Sequence, residues 1–271
     1  MKTKHKIFIA KIIFFIVKYL GFKVKNIYKR NNIYWNLNLS EAIDLSIFLF
    51  GNFEKNVLNS LKKINLEKPF DIIDIGANIG SQTLRFANSF PESKVYAIEP
   101  TDYAFEKLKQ NVLLNKRLSE NIFIYQFFIT NNKHKIENVY SKWNLTDNNF
   151  SHNEHKGQFS KTLNAKTISL DDFFYKNNIK EKIFIKLDVD GHEFHVLKSG
   201  QNFLKKNKPP ILMELAPYLY KENGYNEEDL FNFLINLNYK FYDEKSLDEI
   251  KDIFNFSKKI EIGSSKNIII K

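Results

Sequence analysis

Two glycines and a later acidic residue have the spacing of a nucleotide-binding corner. Residues 69–80 form an apolar run, Pro-Phe-Asp-Ile-Ile-Asp-Ile-Gly-Ala-Asn-Ile-Gly, that ends in Gly76 and Gly80. Glycines let the backbone approach a ligand closely, and the free N–H groups at the start of the following helix can donate hydrogen bonds to it. Glu99 stands 25 residues after Asp74, where a carboxylate can accept both hydroxyl protons of an adenosine ribose.

Two classes of cofactor fit this corner, the nicotinamide dinucleotides and S-adenosylmethionine. A dinucleotide site favours Gly-x-Gly-x-x-Gly, in which the backbone supports a pyrophosphate. Here Asn78 occupies the middle glycine position. Asp74 would repel a pyrophosphate, but it can order the amino group of a methionine moiety through a water molecule. The corner therefore favours S-adenosylmethionine.

The expected cofactor contacts come from the ends of successive strands, because ligands of open α/β sheets bind beyond the carboxyl ends of the strands. The adenine contact is accordingly placed at the end of the third strand, around Ile129 and Thr130. The predicted cofactor-binding residues are Asp74, Gly76, Asn78, Gly80, Glu99, Pro100, Ile129, Thr130 and Asp188.

A second group of candidate residues follows a later buried strand. Asp188 and Asp190 fall at the end of the strand predicted over 182–189, beside the expected position of the methyl sulfonium. Two carboxylates so close need a compensating cation or a raised pKa. A carboxylate or a histidine beside the cofactor can align an acceptor group and take its proton. The candidate bases are these two carboxylates, His152 in a polar loop and His192 at a helix start.

The elements that position these residues alternate between strand and helix patterns, which predicts a doubly wound α/β sheet with helices on both faces. Residues 1–66 are predicted to form a basic amphipathic helix and a cap, and residues 67–271 the catalytic domain. The polar stretch 140–160 is interpreted as an ordered loop or lid. The predicted strands are 70–75, 94–98, 122–129, 182–189, 210–215, 239–242 and 267–270.

Composition restricts the chemistry further. The 271-residue chain has no cysteine, which excludes disulfides, thiolate zinc sites and a cysteine nucleophile. Its formal net charge of +10 is concentrated in residues 1–30, which carry nine basic side chains and no acidic one, and the rest is nearly neutral. Arginine, the residue best suited to phosphate and base recognition, occurs only three times. A specific nucleic-acid partner is therefore not expected.

The N-terminal segment has two interpretations. Lys4, Lys11, Lys18 and Lys25 are seven residues apart, so in a helix they form one stripe that faces water while the rest is apolar. The segment is too short and too charged to span a bilayer. It is either an interfacial helix lying on an anionic membrane through residues 1–30, or a helix packed on the catalytic domain or on the second subunit of a homodimer.

With these residues in view, the chain resembles the FkbM family of S-adenosylmethionine-dependent methyltransferases. The resemblance rests on the run from Asp74 to Gly80, on Ile-Glu-Pro at 98–100, on Ser-Leu-Asp-Asp at 169–172, and on Ile-Lys-Leu-Asp-Val-Asp-Gly-His-Glu at 185–193. One departure is Asp190, where the family usually has glutamate. The resemblance implies a class I, Rossmann-like fold with a mostly parallel seven-stranded sheet.

The resemblance also implies an activity. The expected enzyme is a cytoplasmic O-methyltransferase of polysaccharide biosynthesis, acting on a sugar hydroxyl of a cell-surface or lipid-linked glycan. The alternatives are a methyltransferase for a small natural product or lipid and, more weakly, for RNA. The Asp-x-Asp spacing is similar to that of sugar methyltransferases that hold Mg²⁺, which makes Asp188 and Glu214 candidate metal ligands; the other interpretation of Glu214 is lysine pairing.

Overall fold

The structure of the protein is a computed structural model that describes residues 2–131, 138–147, 157–179 and 182–271. The helices within these ranges are α1 (Thr3–Tyr19), α2 (Ala42–Phe50), α3 (Lys55–Ile64), α4 (Thr83–Ser89), α5 (Asp102–Leu113), α6 (Lys116–Ser119), α7 (Leu170–Lys176), α8 (Glu193–Ser199), α9 (Gln201–Asn207), α10 (Glu227–Asn236) and α11 (Ile253–Lys258). The strands are β1 (Lys25–Arg30), β2 (Ile33–Asn38), β3 (Asp71–Ile75), β4 (Val95–Ile98), β5 (Ile122–Tyr125), β6 (Phe127–Ile129), β7 (Asn138–Lys142), β8 (Gln158–Lys161), β9 (Lys166–Ile168), β10 (Ile183–Leu187), β11 (Ile211–Leu215), β12 (Phe241–Asp243) and β13 (Lys266–Ile270).

Among the described residues, seven strands form the central sheet in the order β12-β13-β11-β10-β3-β4-β5. The strands from β11 to β5 pair in parallel, whereas β13 is antiparallel to both of its neighbours. The chain starts at β3 and winds outward in both directions, so the winding reverses between β3 and β10. Side chains at the carboxyl ends of these two strands meet at a crevice. The predicted α/β sheet is thereby confirmed, including its seven strands.

The central strands are buried because both faces of the sheet are covered. Along β3, Ile72 packs with Phe184 of β10 in the apolar core on one face, and Ile73 packs with Ile185 in the core on the other face. This alternation follows from the period of two in a strand, and it explains why β3 and β10 read as nearly continuous apolar runs. The carboxyl ends of the strands are therefore held rigidly.

The N-terminal cap is joined to the sheet domain by side-chain amides. The hairpin of β1 and β2 presents its backbone to α5, where Asn111 Oδ1 accepts a hydrogen bond from the Asn36 N–H at 2.8 Å. Asn115 accepts from the N–H of Tyr34 and donates to its carbonyl oxygen. The amide of Asn111 also donates to the carbonyl of Ile79, next to the glycine corner. These side-chain amides pair with backbone groups of β2 that β1 does not reach, as a second neighbouring strand would.

Helix α1 lies against α2 through one face, on which Ile7, Phe14 and Val17 are buried. The helix was predicted, but the water-facing lysine stripe is wrong in part: Lys4 and Lys11 are half-buried and Lys18 is exposed. Within the described residues, no helix combines the length and the apolar composition that a membrane span requires.

Two further predictions need correction. The continuous strand predicted over 122–129 is broken at Gln126, where the chain leaves the central sheet: β5 pairs with β4, while β6 pairs with β9. The stretch 140–160, predicted as a loop or lid, contains parts of β7 and β8, which form an antiparallel pair. Its residues 148–156 lie outside the described part of the chain.

Replacing Asn111 by alanine should detach the cap from the sheet domain. The substitution leaves the Asn36 N–H and the Ile79 carbonyl without partners, which should lower the free energy of unfolding by about 2 kcal/mol. Urea denaturation measures this loss, and limited proteolysis should show faster cleavage before residue 66. The exposed Asn59 of α3 provides the matched control, since Asn59→Ala should change stability by less than about 0.5 kcal/mol. Equal effects of the two substitutions would show that Asn111 does not hold the cap on the sheet domain.

Candidate active site

A cavity of about 460 Å³ lies at the carboxyl ends of the central strands. The turns after β3, β4 and β10 contribute most of its polar lining, together with Glu214 of β11. Helices α1 and α2 close it from the other side with mainly apolar side chains, among them Ile9, Ile13 and Leu49. The volume falls in the range of small-molecule and cofactor sites, about 300 to 1,000 Å³.

The glycine corner is formed by an unusually close approach of two strand ends. Gly76 has φ +81°, and a Cβ at this position would overlap the carbonyl oxygen of Asp188, which follows the neighbouring strand β10. The N–H groups of Gly76 and Ala77 both donate to the carbonyl of Ile98, each at 3.0 Å. The turn is thus tied to the ends of β4 and β10, and only glycine fits at position 76.

The second predicted element, Glu99, is held in place by the same corner. Asn78 has φ +49°, and its N–H donates to Glu99 Oε2 at 2.9 Å. Both the N–H and the hydroxyl of Thr101 donate to the other oxygen, Oε1. Burial raises the pKa of Glu99. Because each carboxylate oxygen can accept two hydrogen bonds, Oε1 is saturated and one position remains on Oε2, which can receive a ribose hydroxyl.

A buried lysine, to which the sequence analysis gave no role, joins the two halves of the site. Lys186 of β10 is 4 % exposed, and its Nζ lies 3.0 Å from Asp188 Oδ2 and 3.8 Å from Asp74 Oδ1. Burial disfavours its charge, but Asp188, Asp74 and Glu54 outweigh this effect and raise its pKa. A charged lysine therefore fixes the direction of the Asp188 carboxylate. A single lysine inside an otherwise apolar strand was the sequence signal for it.

Three carboxylates come together at one edge of the cavity. Asp188, Asp190 and Glu214 each offer an oxygen, and these oxygens lie within 4.8 Å of one another. Such a set can hold a divalent cation or a cationic ligand. The pKa of Glu214 is raised well above its usual value by burial and then by the negative charge of Asp188. The structure thus brings the two predicted catalytic aspartates together with the predicted metal ligand.

Glu54, another residue that sequence reasoning missed, extends this cluster. It lines the cavity, and burial together with the charge of Asp188 raises its pKa to about 7. Its φ of +54° is rare for a residue other than glycine. Gln82 and Arg85 stabilise this conformation by donating hydrogen bonds to its carbonyl oxygen and to that of Phe53. A carboxyl group with this pKa can exchange a proton near neutral pH.

The two histidine candidates have different outcomes. His192 lines the cavity, and its ring lies edge-on to Phe128 with 5.4 Å between the ring centres. Burial, followed by the influence of His195, lowers the pKa of His192 to about 4, so the imidazole is neutral at pH 7. Its Nδ1 has no hydrogen-bond partner among the described residues. His152 lies outside the described residues, and its role stays a prediction.

Glu193 has a structural position next to the turn that carries Asp188 and Asp190. It is fully buried, and its Oε1 accepts hydrogen bonds from the N–H groups of Val189 and Gly191. The hydroxyl of Tyr225 donates to Oε2 at 3.3 Å. These bonds hold the turn in which Asp190 and Gly191 both have positive φ. Glu193 therefore positions Asp190 without lining the cavity itself.

The predicted cofactor residues divide into two groups. Gly76, Asn78, Glu99, Pro100, Ile129 and Asp188 line the cavity. Asp74, Gly80 and Thr130 lie outside its described lining. Asp74 is fully buried and accepts a hydrogen bond from the hydroxyl of Thr83 at 2.6 Å, while Gly80 makes room for Leu108, whose Cδ1 would lie 2.7 Å from a Cβ at position 80. Asp74 and Gly80 therefore stabilise the glycine corner through contacts outside the cavity.

Strand order, glycine corner and acidic residue together define a class I methyltransferase that uses S-adenosylmethionine. The residues present fit this cofactor: the turn at Gly76 lies against the end of β10, Glu99 Oε2 has one spare acceptor position, and the surplus of carboxylates beside Lys186 suits a sulfonium cation. Gly76 and Asn78 would hold the methionine end, Glu99 the ribose, and Pro100 and Ile129 the adenine.

The chain belongs to the FkbM methyltransferase family, because the Methyltransferase FkbM domain matches residues 74–241. A curated relative, the 2-O-methyltransferase NoeI of Sinorhizobium fredii, is 24 % identical over an alignment of 179 residues, with 61 % of this chain and 68 % of the relative covered. The family and the activity expected from the resemblance, S-adenosylmethionine-dependent methyl transfer, are confirmed.

Two solved structures illustrate the similarity of the fold. The methyltransferase FkbM from Methylobacillus flagellatus has 14 % identity and a TM-score of 0.44, with 80 % of this chain and 53 % of that chain covered. TYW2 of M. jannaschii, solved in complex with AdoMet, has 13 % identity and a TM-score of 0.43, with 92 % and 85 % covered.

Replacing Gly76 by alanine should disrupt the corner. The new Cβ would overlap the Asp188 carbonyl, so the two strand ends must separate. Gly224 is the matched control, since it has a similar φ of +78° but nothing within 4 Å of an added Cβ. The control should lose about 1 kcal/mol of unfolding free energy, and Gly76→Ala at least about 2 kcal/mol more. Thermal and urea unfolding measure both values. Equal losses would show that the close approach of Gly76 to the Asp188 carbonyl does not restrict the side chain at position 76.

Replacing Glu193 by glutamine should flatten part of the pH dependence of stability. Burial raises the pKa of Glu193 from 4.5 to about 7, so the folded protein binds a proton that the unfolded chain releases. This stabilisation is complete below pH 4.5 and is lost as the pH rises through 7. Between pH 5 and pH 8 the variant should therefore gain about 2 to 3 kcal/mol relative to the parent.

Urea denaturation of both proteins at the two pH values measures this gain, and the difference between variant and parent cancels the other titrating groups. Glu228→Gln, at an exposed position of α10, is the matched control and should show no such gain. A pH-independent difference for Glu193→Gln would mean that Glu193 is ionised in the folded protein throughout this range.

Proposed function

We propose that the enzyme transfers a methyl group to a hydroxyl oxygen of a saccharide. The observation that carries this proposal is the placement of Asp188 and Asp190 in the cavity wall directly beside the glycine corner. A carboxylate at this position can remove the proton of an alcohol while it is methylated. The name of the curated relative, a 2-O-methyltransferase, supports oxygen as the acceptor atom.

The roles of the residues follow from their contacts. S-adenosylmethionine supplies an electrophilic methyl group when it is bound. Asp188 is held by Lys186 through Oδ2 and accepts the proton of the acceptor hydroxyl. Asp190, brought to the same edge by the turn that Glu193 stabilises, accepts a hydrogen bond from a neighbouring hydroxyl and so orients the acceptor.

A sugar is supported by the mixture of side chains around these carboxylates. The aromatic residues Tyr140, Trp143 and Tyr218 line the cavity together with Glu214. Carboxylates accept hydrogen bonds from several hydroxyl groups, and flat aromatic rings offer apolar area to the C–H faces of a pyranose. We infer a glycan of the cell surface, or a lipid-linked precursor of one, as the acceptor class.

Mg²⁺ is a further part of the proposal. Asp188, Asp190 and Glu214 would hold the ion, and it would lower the pKa of the acceptor hydroxyl. In that case Asp188 is a metal ligand and the proton passes to another group of the site, for which Glu54 has a suitable pKa of about 7.

A second candidate acceptor is a small natural product or a lipid. The observation in its favour is the apolar part of the cavity, to which α1 and α2 contribute Ile9, Ile13, Ile43, Leu49 and Phe50. This surface suits a hydrocarbon portion of the acceptor better than it suits a free sugar.

The first test follows a labelled methyl group from S-adenosylmethionine into a host extract that is separated into glycolipid, small-molecule and RNA fractions. Label in glycan or glycolipid is the expected result, and label in RNA would overturn the proposal. Label in the small-molecule fraction alone would favour the second candidate. Loss of transfer in EDTA, restored by Mg²⁺, would establish the metal.

The second test replaces Asp188 by asparagine. Turnover should fall at least about 100-fold, because the amide cannot accept the proton, while the Kd for S-adenosylmethionine should change by less than about fivefold. Asp172→Asn, at an exposed position of α7, should leave both values unchanged. Calorimetric titration and initial rates measure the two effects. A large loss of cofactor affinity with a small loss of turnover would place Asp188 in the binding set instead.

A further inference from the structure

The outer face of α1 carries large apolar side chains that no described part of the chain covers. It consists of Phe8, Ile12, Phe15, Ile16, Tyr19 and Leu20, of which Phe8 is 63 %, Phe15 58 % and Tyr19 91 % exposed. Successive helical residues are turned by about 100°, so these six side chains occupy one continuous arc opposite the buried face of Ile7, Phe14 and Val17. Contiguous apolar surface of this kind marks an interaction site.

The charges that residues 1–30 place around the outer face are all positive, and Lys2, just before the helix, pairs with the acidic Glu261. Lys4, Lys11 and Lys18 follow one another along one border of the arc. The segment after the helix adds Lys23, Lys25 and Lys29, all exposed, and residues 1–30 contain no acidic residue. The partner of this face must therefore offer an apolar interior and a negatively charged border.

We propose that the outer face of α1 docks on an anionic lipid bilayer. Aromatic and aliphatic side chains enter the boundary between headgroups and acyl chains, and the exposed lysines Lys18, Lys23, Lys25 and Lys29 bind anionic headgroups. A second copy of the chain fits less well, because a two-fold contact through the same face brings the two lysine rows together.

The cavity lies close to the outer face of α1, so docking on a bilayer would affect how the acceptor reaches the cavity. Ile9 of α1 and Phe50 of α2 line the cavity and are also 45 % and 68 % exposed, so the cavity opens beside the outer face of α1. A docked enzyme would receive a lipid-linked acceptor directly from the bilayer. Only this last step rests on the function proposed above; the docking does not.

The test is sedimentation of the full chain with vesicles, without methyl donor or acceptor. Binding should be weak to phosphatidylcholine vesicles, at least tenfold stronger when a third of the lipid is phosphatidylglycerol, and reduced by salt. The double substitution Phe8→Gln and Phe15→Gln should weaken binding roughly tenfold or more. Tyr175→Gln on α7, where the side chain is 82 % exposed, is the matched control and should bind like the parent.

A charge variant separates the electrostatic contribution to vesicle binding from the apolar contribution. Lys18→Glu should reduce binding to the anionic vesicles and leave binding to phosphatidylcholine nearly unchanged. Absence of vesicle binding, or binding that the double substitution does not weaken, would overturn the proposal. A dimer in light scattering that the double substitution dissociates, with no vesicle binding, would assign the face to self-association instead. Because methyl transfer is not measured, these outcomes are independent of the proposed function.

Discussion

The site depends on the contact between the turn after β3 and the end of β10. These neighbouring strands come so close that the backbone of Gly76 occupies the space that any side chain there would need, against the carbonyl of Asp188. The contact fixes the distance between the cofactor corner and the candidate catalytic carboxylates, Asp188 and Asp190. Both strands are buried on both faces, so the packing of the two apolar cores transmits this constraint to the cavity.

The same contact places a concentration of negative charge inside the protein. Asp74, Asp188 and Glu54 lie around the buried cation Lys186, and Asp190 and Glu214 adjoin Asp188. Burial of so many carboxylates is unfavourable unless they are protonated or paired, and the raised pKa values of Glu54 and Glu214 reflect this cost. A methyl sulfonium or a divalent cation would relieve it. The protein is therefore more stable with the site occupied than with it empty, because the bound cation offsets the repulsion among the buried carboxylates.

Much of this site could be predicted from local sequence. The apolar run, the two glycines and the acidic residue at 99 all act within one strand-turn-helix unit, so their spacing determined their arrangement. Lys186 and Glu54 acquire their roles from neighbours far along the chain, which spacing cannot reveal. The break at Gln126 was missed because the residues on both sides of it are strongly strand-forming, and only their pairing partners differ. The lysine stripe was partly misplaced because an apolar stripe of α1 that faces α2 and one that faces solvent look alike in sequence.

The position of β13 has a consequence for synthesis of the chain. This strand is inserted between β11 and β12, and all five of its residues pair with β11. Until residues 266–270 have emerged from the ribosome, β11 is an open sheet edge with the sequence Ile-Leu-Met-Glu-Leu. An open apolar edge invites pairing with other nascent chains. The strand that supplies Glu214 is thus open to such pairing until β13 has been made.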